Sequence, residues 1–108
     1  MTEKATVKSA EKVLKVLKAL RGHRLKGIKL NDLAKSLNES PAQVFRQLQT
    51  LISEGFASQM DDGSYALGNG LVSIAHAHSD EINRAQSHIT EHVQRVTVGI
   101  NQIKAEHK

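Results

Sequence analysis

The sequence predicts a mainly α-helical fold with one small β-hairpin, followed by a long C-terminal helical segment. Three observations carry that prediction. Apolar residues recur at helical spacing in three short stretches between residues 9 and 54. Two short apolar runs, Phe56–Met60 and Tyr65–Leu67, flank an Asp-Asp-Gly-Ser turn with hairpin chemistry. From Leu71 onward, apolar side chains fall on a seven-residue repeat. Two short helices joined by a polar turn, with a hairpin directly behind them, make a winged helix-turn-helix. The expected organisation is a frayed basic N-terminus at 1–8, the winged unit at 9–70 and a helical extension at 71–107.

The first helix is expected to start at Ser9 as N-cap, with Glu11 in its first turn where a negative charge suits the helix dipole. Ala10, Val13, Leu14, Leu17 and Leu20 form its apolar stripe, flanked by Val16, and Gly22 ends it. Lys8, Lys12, Lys15 and Lys18 lie opposite and read as a solvated face, with long-range steering of a polyanion as the alternative. A basic loop, His23-Arg24-Leu25-Lys26-Gly27, leads to Ile28-Lys29-Leu30, which is a small strand or the apolar lead into the next helix.

The second helix is expected to take Asn31 as its cap, with Leu30 stapling behind it, and to bury Leu33, Ala34 and Leu37. It ends near Asn38, a residue that tolerates a left-handed turn. The third helix has Ser40 as cap, Pro41 at its first position and Gln43 completing a capping-box pattern. Val44, Leu48, Leu51 and Ile52 make its apolar face, and Gly55 terminates it. Ala42, Arg46, Gln49 and Ser53 point the other way, with Gln43 and Thr50 beside them. That outer face is uncharged and polar apart from Arg46, whereas other solvated faces of this chain are rich in Lys and Glu. Gln and Arg are side chains that read adenine and guanine edges in a major groove.

The hairpin tip, Asp61-Asp62, is acidic, so the wing is expected to serve packing, or to touch DNA through Gln59 or Ser64. Gly68-Asn69-Gly70 breaks the chain before the last helix. In that helix Ala75, Ile82, Ile89, Val96 and Ile103 alternate with Ser79, Gln86, Val93 and Ile100 to give a three-and-four seam. The seam weakens at Ser79-Asp80, which leaves room for a break or kink there. A narrow seam of this length suits pairing with a second copy, giving a homodimer or higher homo-oligomer. Ile and Val at both core positions do not favour a simple parallel dimer.

Composition narrows the function. The net charge is +4. Residues 1–55 carry eleven Lys/Arg against five Asp/Glu (+6), and residues 56–108 carry four against six (−2). The basic half holds the helix-turn-helix, a placement that suits a polyanion partner. With no Cys there are no disulfides and no thiolate metal sites. One Tyr, two Phe and no Trp leave little for a stacking platform on single strands. No apolar run approaches the ~20 residues of a membrane span, so a cytoplasmic, nucleoid-associated protein with no membrane partner is expected.

Ser9, Val13-Leu14, Val16-Leu17, Leu20, the run Leu30–Leu37, the run Ser40–Leu51, Glu54-Gly55-Phe56, Gly63, Tyr65, Leu67-Gly68 and Leu71 follow one another at familiar spacing. Over roughly residues 7–75 the chain resembles the DNA-binding domain of IclR-type bacterial transcriptional regulators. The resemblance implies that Ala42, Gln43 and Arg46 fall where the family's recognition helix meets DNA. Family members usually start that helix with small hydroxyl residues and a Lys or Arg, where this chain has Pro41, Ala42 and Gln43, so the family's base preference is not carried over. About 35 residues follow the winged unit, and the resemblance therefore implies no small-molecule effector pocket of the family's kind.

His88-Ile89-Thr90-Glu91-His92 spells an inverted zinc-protease motif. It lies on the polar flank of the last helix, away from any expected cleft. No nucleophile–base–acid set and no glycine-rich phosphate loop is present. Neither a catalytic residue, a metal site nor a cofactor is expected. The expected function is a sequence-specific double-stranded DNA-binding transcriptional regulator with helix 41–54 in the major groove. Its expected DNA-binding residues are Ser40, Ala42, Gln43, Arg46, Gln47 and Thr50. The alternative is a winged-helix protein-interaction or accessory module, for example in a phage or replication complex.

Overall fold

The computed structural model describes residues 5–106. Residues 1–4 of the expected frayed terminus and residue 107 of the expected extension lie outside them. The chain divides into two compact units, Met1–Ser73 and Ile74–Lys108. The element order is α1 (Lys8–Ala19), α2 (Leu30–Leu37), α3 (Pro41–Ser53), β1 (Ala57–Gln59), β2 (Tyr65–Leu67) and α4 (Asn69–Glu106). The fold is the expected one: a winged helix-turn-helix followed by a long C-terminal helix.

In the first unit α1, α2 and α3 pack on one core. Val16 and Leu20 come from α1, Leu33 and Ala34 from α2, and Val44, Leu48 and Leu51 from α3; Ala57 and Tyr65 close it from the wing. Within α1 the stripe is centred differently from the sequence reading. Val16 is buried and belongs to its centre, whereas Leu14 is exposed. The surface facing the other helices is the 13–16–17–20 ridge, and residue 14 lies beyond its edge.

Two helix starts differ from expectation. α1 begins at Lys8, with Val7 as N-cap and no side-chain cap, so Ser9 is already helical. The Glu11 amide donates to the Val7 carbonyl (3.0 Å), closing the first turn two residues earlier than a Ser9 cap would. α2 begins at Leu30, with Lys29 as N-cap, so Asn31 does not cap it. Leu30 packs on the core as part of the helix, and that burial sets the start ahead of the polar residue. Ile28 makes a single antiparallel bridge with Tyr65, each amide donating to the other's carbonyl at 2.8 Å. The stretch before α2 thus adds one bridged residue to the wing without forming a strand.

The α2–α3 turn follows the sequence closely. Asn38 is left-handed, with φ 54°. The Ser40 hydroxyl accepts from the Gln43 amide (3.3 Å), and Pro41 opens α3. Gly55, at φ 82°, reverses the chain after α3; the Phe56 amide then donates to the Leu51 carbonyl (2.8 Å). The wing pairs Ala57 with Leu67, Ser58 with Ala66 and Gln59 with Tyr65.

The break between the wing and the last helix is confined to Gly68. α4 starts at Asn69, and the Gly68 and Gly70 amides donate to the Phe56 and Gly55 carbonyls, both at 2.8 Å. A Cβ on Gly68 would stand 2.6 Å from the Gly55 carbonyl oxygen, so the missing side chain permits this backbone approach. Arg24 secures the same place, donating to the Asn69 side-chain oxygen (2.8 Å).

The second unit is the body of α4. It runs through Ser79-Asp80 without a break in the helix. Ser and Asp cost only a few tenths of a kcal/mol in a helix, and neither Pro nor Gly interrupts the backbone there. His76 faces Asp80 one turn on (3.6 Å). None of the described residues of α4 is buried.

Candidate nucleic-acid interface

α3 positions the expected site residues by capping and by core burial. Ser40 fixes the first turn, and Val44, Leu48 and Leu51 pin one face to the core. The opposite face is then solvent-facing by helix geometry: Ala42, Arg46, Gln49, Thr50 and Ser53 are all exposed. Arg46 is its single formal charge.

The six residues do not share one environment. Ser40, Ala42 and Arg46 are exposed, whereas Gln43 and Gln47 are half-buried. Gln43, Arg46, Gln47 and Thr50 line one wall of an open hollow of about 310 Å³, and Ser9, Lys12 and Val13 of α1 line the other. The Thr50 hydroxyl is committed to its own helix, donating to the Arg46 carbonyl (3.2 Å). Gln47 turns inward, and its side-chain oxygen is buried with no hydrogen-bond partner.

The lysines of α1, expected as one solvated face with long-range steering as the alternative, are not equivalent. The structure separates them. Lys12 lines the hollow beside Arg46 and reaches Glu39 of the α2–α3 turn, Nζ to Oε1 3.8 Å. Periodicity places Lys12 opposite the α1 stripe but says nothing of how far α3 projects past that stripe. Only the crossing of the two helices brings Lys12 and Arg46 to one hollow.

The wing differs from expectation at Ser64, which is buried. It is therefore unavailable to a duplex, while Gln59 is exposed and donates to the Gly63 carbonyl (3.3 Å). The Ser64 hydroxyl and amide both donate to Asp62 Oδ1. These hydrogen bonds hold the Asp62 carboxyl below the usual aspartate range, with Lys29 contributing charge. Lys29 Nζ also donates to the Asp62 carbonyl and stands 3.9 Å from Oδ2. The acidic tip is accounted for in part: Asp62 ties the turn together and faces a cation.

Among the described residues no three His, Asp or Glu side chains converge as a metal site. None of the helices there is long and apolar enough to cross a membrane.

Residues 9–61 match the IclR helix-turn-helix domain family. No curated protein matches the chain. Among solved structures, HmgR of Pseudomonas aeruginosa is similar at 33% identity and TM-score 0.63, over 71% of this chain and 33% of that one. An IclR transcriptional regulator from Alicyclobacillus acidocaldarius is similar at 28% identity and TM-score 0.63, over 70% and 31%. The IclR of Thermotoga maritima, at 18% identity and TM-score 0.54 over 62% and 27%, shares the fold. The chain spans about a third of the length of the regulators it matches. With α1, α2, the capped α3 and β1 inside the matched residues, this chain carries a winged helix-turn-helix domain of the IclR type.

Proposed function

We propose that the chain is a sequence-specific double-stranded DNA-binding protein acting in transcriptional regulation, with α3 in the major groove. One observation carries the reading: the face of α3 turned from the core is exposed and free of acidic side chains, with Arg46, Gln49, Thr50 and Ser53 polar and Ala42 and Phe45 apolar. A recognition helix needs such a face, because bases are read by hydrogen bonds and any carboxylate there repels phosphate. The IclR-type domain and the regulators similar to it support the same function.

In this reading Arg46 and Gln43 approach base edges, with Ala42 offering apolar contact. Ser40 and the first turn of α3 hold a backbone phosphate, since unpaired helix N-terminal amides favour an anion. Gln47 and Thr50 shape the flank of the helix. Catalysis has no part in it. A nucleoid location follows from the activity.

Selection of bound duplexes from a random pool tests DNA binding and specificity together. Arg46→Ala is expected to lose about 1–3 kcal/mol on the selected site and to relax the preference at one position. Equal affinity and equal preference in parent and variant would remove α3 as the recognition helix.

A second element of the proposal is pairing of two copies along α4. Ile82, Ile89, Val93, Val96, Ile100 and Ile103 of the seam are all exposed in the single chain. Long helices draw most of their stability from burying an apolar face, and a second copy supplies one. The selected sites are then expected to be rough palindromes, with half-sites about 10 bp or a multiple apart.

A further inference from the structure

The hollow between α1 and α3 has two cationic side chains on facing walls, Lys12 from α1 and Arg46 from α3. Ser9 lies on the same α1 wall, one helical turn before Lys12. The hollow is open to solvent, as a site for a phosphate that stays part of a duplex must be. Lys12 is the only one of the four α1 lysines that borders this hollow. Its ion pair with Glu39 is partly exposed and long at 3.8 Å, and such pairs contribute little. The charge is therefore transferable to a stronger anion. Gln47 also lines the hollow, and its side-chain oxygen is buried without a hydrogen-bond partner.

We propose that this hollow seats a backbone phosphate of bound duplex DNA, with Lys12 and Ser9 as its α1 half. The inference rests on the DNA-binding reading above. It makes α1 part of the interface and gives Lys12 a positioning role: it fixes how α3 lies along the groove without reading sequence. Contacts of this kind set register and salt dependence, whereas Arg46 on the opposite wall carries specificity.

The test is the salt dependence of binding of the full chain to a random duplex and to a selected one. Lys12→Gln is expected to weaken both by the same factor and to reduce the slope of log affinity against log salt by about 0.9, the value for one phosphate contact. Lys12→Arg is expected to restore the slope. Lys18→Gln, the same charge change on the same helix away from the hollow, is expected to leave it unchanged. Circular dichroism of each variant confirms that the helices are intact. If Lys12→Gln and Lys18→Gln behave alike while the parent binds duplex, the phosphate seat is wrong and the DNA-binding reading stands. If the parent binds no duplex at low salt, both fall together.

Discussion

At the scale of single residues, side-chain hydrogen bonds decide roles that composition leaves open. Asp62 looks in the sequence like a charge that repels DNA from the wing. In the structure it accepts from both the hydroxyl and the amide of Ser64. Those bonds lower its pKa in the folded state. A group depressed in this way contributes stability that is fully present above the unfolded aspartate value. The contribution is lost as pH falls through the folded value. Asp62→Ala is therefore expected to loosen the turn at neutral pH, seen as faster hydrogen exchange of the Ser64 amide. The gap between variant and parent is expected to close as the parent is titrated through its own Asp62 midpoint in acid. A constant gap across that window would show that the carboxylate does not hold the turn. Ser64 itself, expected from the sequence as a possible DNA contact, is removed from the surface by the same bonds and by its burial.

At the scale of elements, the wing depends on a neighbour far from it in sequence. The chain before α2 runs beside β2 through the Ile28–Tyr65 bridge. Gly27 lies against Ser64 so closely that an added Cβ would meet its side chain, 2.8 Å from the Ser64 Cβ and 2.9 Å from the Met60 sulfur. The Met60 sulfur is the far end of a flexible side chain, but Ser64 is held by Asp62. Gly27→Ala is expected to cost about 1–3 kcal/mol, the usual range for overpacking a tight site. Urea unfolding measures the loss, and unchanged stability would mean that the loop shifts freely off the wing. The α3 cap shows the opposite case. Ser40, Pro41 and Gln43 are neighbours in sequence, so the start of α3 is readable from local chemistry. The starts of α1 and α2 are not, because neither has a side-chain cap, and at α2 the packing of Leu30 on the core moves the boundary.

At the scale of the whole molecule, the two units differ in how they use apolar residues. The first buries its own, from Val16 to Tyr65. The second has an apolar seam and none of its described residues buried. Each fully buried Ile or Val contributes about 1.5–3 kcal/mol, so covering this seam is a strong drive to association. Ile89→Glu places a charge mid-seam, at a side chain that is 64% exposed in the single chain. The parent is expected to sediment as a dimer or larger oligomer, and Ile89→Glu as a monomer at the same concentration. A monomeric parent would count against pairing. If pairing also sets half-site spacing, the variant is expected to lose affinity for palindromic sites while keeping its affinity for a half-site.

Local rules were enough to make several features legible in the sequence alone. The left-handed Asn38, the Ser40–Pro41 start of α3, the Gly55 stop and the Asp-Gly hairpin each depend on residues a few positions apart. The apolar periods of α2, α3 and α4 depend on nothing beyond helix geometry, and the ordered run of these elements carried the resemblance to IclR-type domains. Tertiary structure decided what depends on residues brought together from afar. It buried Ser64 against the loop at Gly27, drew Lys12 out of a uniform lysine stripe, turned the Gln47 oxygen inward and made Gly68 and Gly70 a close backbone contact. The physical reason is the same in each case. Burial and electrostatic neighbours are set by how helices cross and where the wing lands, and periodicity in one element does not contain that information.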